Sequence, residues 1–208
     1  MENMSKLILE TQISIDGYIA DENGGTDWMI WNWGPNWNWD KDLQTYHTNL
    51  NKSVSNILIS SQMAQQGFNA HWQQAAQDAT DIRFDFASHI VNTNKFVASR
   101  TLTKDIQIPG GWHNLSVLNG NLKAEIEKMK NSNSGDIIVY GGATLVSSLI
   151  NADLIDEYHL IINPVALGKG LAIFKKQTNL KMVNATSFPC GIVVSHYVSL
   201  PTLHNGLI

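Results

Sequence analysis

The sequence predicts an α/β domain with a central, mostly parallel sheet and an antiparallel edge. Three observations carry that expectation. Short apolar runs alternate with stretches of helical periodicity through most of the chain, and apolar runs without helix signals cluster at its end. The 208 residues, 43% hydrophobic and 15% charged, also suffice for one well-buried core. A single domain is expected over residues 1–200, with a loose C-terminal tail at 201–208.

In chain order, KLILETQIS (Lys6 to Ser14) reads as a buried first strand. DKDLQTYHTNLN (Asp40 to Asn51) spaces Leu43, Tyr46, His47 and Leu50 as a helix does. SNILIS (Ser55 to Ser60), an apolar run bounded by Ser and Asn, predicts a central strand. DATDIRFDFASHIVN (Asp78 to Asn92) places Ile82, Phe86 and Ile90 four apart and predicts a helix. KFVAS and SVLNG read as strands. NLKAEIEKMKN reads as an amphipathic helix whose lysines lie toward the C-terminal end, where they complement its dipole.

The clearest unit follows. GDIIVY is a buried strand, Gly141-Gly142 a tight turn and ATLVSSLINAD a helix. LIDEYHLIINPVALGKGLAIF then supplies another apolar strand and a Gly-rich loop. LKMVNATSF and GIVVSHYVSL alternate and lack helix signals, so a terminal hairpin is expected.

Composition excludes several function classes. A net charge of −4 gives no footing for nucleic acid or an anionic membrane as main partner. The single Cys190 rules out an internal disulfide framework. MENMSKLILE carries acids and only a short apolar run, unlike a signal peptide, and no apolar run approaches the length of a membrane span. A cytoplasmic protein is the expectation.

WNWGPNWNW (Trp31 to Trp39) puts four tryptophans in nine residues, with Trp28 just upstream. A core does not easily take this pattern, because each indole carries an N–H that needs a partner when buried. Two readings stand: a small hairpin around the Gly-Pro-Asn turn, or an irregular loop whose rings wall a pocket for something flat.

Three strand ends carry polar or Gly-rich residues: VYGGATL, ASRTLT (Ala98 to Thr103) and ISSQM (Ile59 to Met63). The glycine pair would let backbone approach a ligand, and the helix N-terminus after it offers free N–H groups to a phosphate. Ser99, Arg100 and Thr101 offer two hydroxyls and a guanidinium, which suits a phosphate monoester. Singly, each reads equally well as a turn or a solvated loop. Together they fit a ligand at the carboxyl ends of strands.

The seven histidines show no His-x-x-x-His or His/Cys pair at ligand spacing, so no metal is expected, and no nucleophile elbow or Walker motif appears. His159, inside an apolar run, reads as a satisfied core or interface histidine. Asp16-Gly17 reads as a turn pair. Asp42 opens a helix beside the Trp cluster, with Tyr46 one turn along. It either complements the helix dipole or places a carboxylate at a mouth lined with indoles.

The order ISIDGYIADENGG with Trp28, then NILISSQM, VASRTLT, IIVYGGATLVSSL and LIDEYHLIINPVALGKGLAIF resembles the dihydrofolate reductase-like superfamily. It is most similar to the branch that includes the C-terminal reductase domain of the bifunctional riboflavin-biosynthesis deaminase/reductase and its stand-alone relatives. The likeness runs from about Lys6 to Ser199 and is most specific over Ile137 to Phe174. It implies a three-layer domain with helices on both faces of the sheet, and NADPH as cofactor. It would place Gly141, Gly142, Ala143, Thr144, Leu145 and Val146 on the pyrophosphate and nicotinamide side, and Ser99, Arg100 and Thr101 at the adenosine 2′-phosphate. Ser60, Ser61 and Met63 match a strand end where relatives often carry Gly-Arg-x-Thr; here Arg and Thr are missing. Ile19, Gly24, Gly25 and Trp28 match the mobile loop beside the nicotinamide.

On the substrate side, Asp42 falls about where dihydrofolate reductases proper keep their carboxylate, which makes it the candidate proton donor. Tyr140 stands where riboflavin reductases carry a substrate-binding Glu. Trp31, Trp33 and Tyr46 complete the expected substrate side, with the Trp segment at the mouth of the site. The implied function is an NADPH-dependent reductase that transfers hydride to a C=N or C=O bond of a small flat, pterin- or pyrimidine-like molecule. The alternative is a non-catalytic nucleotide-binding module of the same fold. A homodimer is also expected, since LIDEYHLIINPV exposed at a sheet edge would invite self-pairing.

Overall fold

Strand β1 (Leu7–Ile13) is buried at all seven positions, which places it inside the molecule with cover on both faces. The computed structural model describes residues 4–132 and 135–200; the expected tail at 201–208 lies outside them. After β1 come β2 (Tyr18–Ala20), α1 (Lys41–Lys52), β3 (Asn56–Ser60), α2 (Ser61–Gln65), α3 (Phe68–Ala75) and α4 (Phe84–Asn92). Then follow β4 (Asn94–Ala98), β5 (Leu115–Leu118), α5 (Leu122–Asn131), β6 (Ile137–Tyr140) and α6 (Ala143–Asn151). The chain closes with β7 (Glu157–Ile162), β8 (Leu171–Ala172), β9 (Leu180–Ser187) and β10 (Val193–Ser199).

The main sheet has eight strands in the order β5-β4-β3-β6-β1-β7-β10-β9. Every pairing from β5 to β7 is parallel, and β10 runs antiparallel to both β7 and β9. The expected α/β class, antiparallel edge and terminal hairpin are therefore present. β2 and β8 form a separate two-stranded ribbon. Alternation along the strands sorts the core into two layers. Ile8, Ile57, Ile59, Ile138 and Ile161 pack with α1, α3, α4 and the Trp segment, while Leu7, Leu9, Leu58 and Val139 pack with α5 and α6. Among the described residues no helix is long and apolar enough to cross a membrane.

Four expectations need correction. The helix expected from Asp78 begins at Phe84, because the Asp81 carboxylate binds the Arg83 backbone N–H (2.7 Å) and guanidinium (2.6 Å) and holds a turn there. Ile82, counted toward its apolar stripe, is 59% exposed. Helices α2 and α3 were not expected, since their Gln- and Asn-rich sequence hides the apolar side that Phe68 and Trp72 present. β7, whose exposure was to drive self-pairing, lies between β1 and β10; the outer strand on that side is β9, exposed at all but its first residue.

Asp16 receives the backbone N–H groups of Leu167 (3.1 Å) and Gly168 (2.7 Å), so its turn, with Gly17 at φ +85°, is structural. Lys95, buried at the start of β4, donates to the carbonyls of Ile90, Val91 and Thr93 at the end of α4. That burial pulls its ammonium pKa down to about 8.

Candidate active site

Parallel strands carry their chain onward from the same end of the sheet, and there the segments after β3 and β6 diverge from those after β1. Between them lies a cavity of about 470 Å³, within the range of small-molecule sites. One wall is the β6–α6 turn, where Gly141, Gly142, Ala143, Thr144 and Leu145 all line the space. Gly142 is the N-cap residue of α6 and makes no side-chain cap. Its φ is an ordinary −72°, and a Cβ built on it would meet nothing within 4 Å. Nothing in the protein itself asks for glycine there; only the open space over it does.

A second wall comes from Ser60 and Met63 at the β3–α2 junction, joined by Ile19 and Gly24. The Ser60 hydroxyl is committed as cap, accepting from Met63 N at 3.1 Å. The third wall is aromatic: Trp31, Trp33 and Trp39 line the cavity, and Tyr140 joins them from β6.

The Trp segment is an irregular loop and not a hairpin. The expectation that a core would reject it is wrong. Trp31, Trp37 and Trp39 are 2%, 7% and 4% exposed, and Trp31 stacks on Trp37 and packs edge-on to Trp39. Trp31 Nε1 finds the Gly34 carbonyl at 2.9 Å, whereas Trp37 Nε1 and Trp39 Nε1 are buried without a partner. A polar relay pins the loop. Gln12 donates to the Trp31 carbonyl (2.8 Å), Asn163 donates to Gln12 (3.2 Å), and Asn163 accepts from Ile30 N (2.9 Å). Trp33 has φ +60°, a left-handed conformation that costs a bulky residue on the order of 1–2 kcal/mol. Phe68, Trp72 and Tyr140 hold it there, with ring centroids at 5.7, 5.0 and 5.4 Å.

A charged group lies in the cavity lining. Glu10, 3% exposed in the middle of β1, receives His47 Nδ1 at 2.8 Å on Oε1 and Asn51 Nδ2 at 3.1 Å on Oε2. The Tyr140 hydroxyl lies between Glu10 Oε2 (3.2 Å) and Asn51 Oδ1 and can donate its proton to one at a time. Burial first, and then the Glu10 charge, push the Tyr140 pKa well above that of a free phenol, so it remains a donor. His47 also lines the cavity, and its Nε2 is buried without a partner. The sequence reading does not single out this carboxylate; its signal is the lone acid in LILETQI, between two apolar stretches.

Other expected residues lie elsewhere. Asp42 is exposed on the first turn of α1 and does not line the cavity, so it is no proton donor to it; it complements the helix dipole. Val146 faces the core, fully buried on the inner side of α6. Tyr46 turns away to His159, 2.5 Å from Nδ1. Gly25 and Trp28 are outside the lining, and Trp28 Nε1 bonds back to the Gly25 carbonyl at 3.2 Å. Ser61 is one residue past the cap and also off the wall. Ser99, Arg100 and Thr101 sit beyond the cavity at the end of β4, next to the β3 end that does line it. The Ser99 hydroxyl accepts from Leu102 N at 3.0 Å, while Arg100 is exposed and without an ion pair among the described residues.

A family model described as the RibD C-terminal domain matches residues 5–194, nearly all of the folded part. The chain belongs to that family. An uncharacterised Bacillus subtilis (strain 168) protein, YyaP, is 31% identical to it over 193 residues, covering 90% of this chain and 92% of its own. Among solved structures, Acinetobacter baumannii RibD superposes with a TM-score of 0.67 at 15% identity, over 96% of this chain and 59% of that one. The Saccharomyces cerevisiae riboflavin biosynthesis reductase Rib7 gives 0.56 at 14% identity, over 96% and 92%. At such identities the structures establish the dihydrofolate reductase-like fold, and membership of the family supports an oxidoreductase.

Proposed function

We propose that the chain is an NADPH-dependent reductase acting on a small flat heterocycle of pterin or pyrimidine type. Bound NADPH would supply hydride to the carbon of a C=N or C=O bond, and solvent water would supply the proton to its nitrogen or oxygen. One observation carries the reading: a glycine cradle with open space over it and a buried carboxylate face the same cavity. Gly142 and the first turn of α6 would hold the pyrophosphate through backbone N–H groups and the helix dipole. Arg100, two strands over after β4, would reach the 2′-phosphate.

The remaining residues orient and desolvate. Trp31 and Trp33 offer flat apolar faces to a ring, and Glu10 accepts from its N–H edge. Where family reductases carry Glu before the glycine pair, this chain has Tyr140, whose hydroxyl touches Glu10. The acid is thus supplied from β1 instead of β6, which supports a ring with N–H groups as substrate.

The experiment is NADPH oxidation against a panel of pterins, pyrimidines, quinones and imines, with the wild type and Glu10→Gln. With an accepted substrate, Glu10→Gln should lower turnover on the order of a hundredfold while NADPH still binds. Binding without turnover across the panel would leave a nucleotide-binding module. No NADPH binding at all would remove the proposal. Association of two copies belongs to the same reading, with β9 as the available strand; light scattering at the mass of one chain at micromolar concentration would remove that part.

A further inference from the structure

Three side chains on β7 and β10, outside the cavity, bring their ligand atoms close together. Glu157 and His159 are two apart on β7 and share a face, and His196 on β10 lies directly across from His159. Glu157 Oε2 stands 3.7 Å from His159 Nε2 and 3.4 Å from His196 Nε2, and the three ligand atoms lie within 4.8 Å of one another. Both are ion-pair contacts if the ring is protonated, and neither buried Nε2 has a partner in hydrogen-bond geometry. Leaving two ring nitrogens desolvated and unsatisfied beside a carboxylate is costly unless something binds between them. For zinc held at about 2.0–2.2 Å by nitrogen and oxygen, tetrahedral geometry sets neighbouring ligand atoms about 3.3–3.6 Å apart. The two measured gaps are close to that edge length.

The surroundings prepare the same three atoms. Lys6 Nζ binds Glu157 Oε1 at 2.7 Å, which leaves Oε2 for the histidines. The Tyr46 hydroxyl, at 2.5 Å from His159 Nδ1, can accept that ring N–H and so keep the lone pair on Nε2. The two imidazoles stack with centroids 4.1 Å apart and planes 16° apart, so their lone pairs lie in nearly parallel planes. A turn of His196, whose side chain is 22% exposed, would bring them to convergence. The Lys6 ammonium opposes a cation and sets the affinity below that of a site without it.

We propose that Glu157, His159 and His196 bind one divalent transition-metal ion of the zinc type, with water as fourth ligand, clamping β10 onto β7. His159 is the ligand oriented by Tyr46. The site uses no residue of the reductase cavity, and its test needs neither NADPH nor substrate, so either reading can fail alone.

The whole chain, stripped with a chelator, is titrated near neutral pH with Co²⁺, followed by visible d–d absorption, and with Zn²⁺, followed by calorimetry and thermal unfolding. One equivalent should bind, and Zn²⁺ should raise the Tm. His196→Gln and Glu157→Gln should each weaken binding on the order of a hundredfold or more, and Tyr46→Phe by about tenfold. The exposed His113→Ala should bind as the wild type does. The variants are checked for a cooperative thermal transition without metal, and His196, the most exposed of the three, is the decisive position. Absence of saturable one-to-one binding, or unchanged binding in His196→Gln, overturns the site and leaves an ordinary His196–Glu157 ion pair.

Discussion

The cavity has two unlike walls. The β6–α6 turn is regular and opens on two glycines, and it keeps space open: a Cβ on Gly142 would meet no atom of another element within 4 Å. The Trp segment opposite is irregular and fills space, with three indoles driven into the core while Trp31, Trp33 and Trp39 still present surface to the cavity. Residues of the first wall are chosen for what must fit against them. Those of the second are chosen for packing, and their face toward the ligand comes as a consequence. Binding and stability should therefore separate by wall.

The largest effect is expected on the aromatic side. Trp31→Ala removes a nearly fully buried indole that contacts Trp33, Trp37 and Trp39, and should cost about 3–5 kcal/mol in denaturant unfolding. Trp28→Ala, at a partly exposed indole off the cavity, should cost under about 1 kcal/mol. Equal costs would erase the distinction between packed and peripheral indoles. On the glycine side, Gly142→Val should weaken NADPH on the order of a hundredfold, about 2.7 kcal/mol, with the thermal transition nearly unmoved. Lost stability with retained binding would make the glycine a turn residue only.

Arg100→Ala sharpens the comparison beyond the glycine wall, at the end of β4. A charge-assisted pair with the 2′-phosphate should make it cost about ten- to a hundredfold for NADPH and little for NADH. The smallest effect lies away from both walls, at Lys95. Its folded pKa, about 8, is depressed from an unfolded value near 10.5, so between those values the unfolded chain binds more protons and stability rises with pH. The rise between pH 8 and 9 should be about 1 kcal/mol relative to Lys95→Met. A flat difference over that interval would show that the buried ammonium is not held below its normal range.

Legibility followed the same division. The strands, the Gly141-Gly142 turn and α6 could be read because each obeys a local period and a local terminator. The cavity positions of Ala143, Thr144 and Leu145 came with them. Glu10 could not be read, because its partners are His47 and Asn51 on α1 and Tyr140 on β6, brought together by strand register and helix docking. Tyr46 and Asp42 were misassigned for a related reason. Helical spacing fixes which residues share a side of α1, but not which neighbour each side meets. Trp37 and Trp39 show the limit of the rule that a buried indole needs a partner for its N–H: both are buried and neither has one.

The place of β1 in the sheet has a consequence in time. Its two neighbours, β6 and β7, lie about 130 and 150 residues downstream, so the first strand to be made is among the last to find its partners. At ribosomal rates of 5–20 residues per second, LILETQI waits roughly 6–26 s before Ile137 is even synthesised. Its apolar side chains and unpaired backbone are open to other chains throughout, and closing so long a loop is slow in its own right. Emerging chains are therefore most vulnerable over their N-terminal half, and a release from the ribosome before β6 would leave the centre of the sheet without either flank.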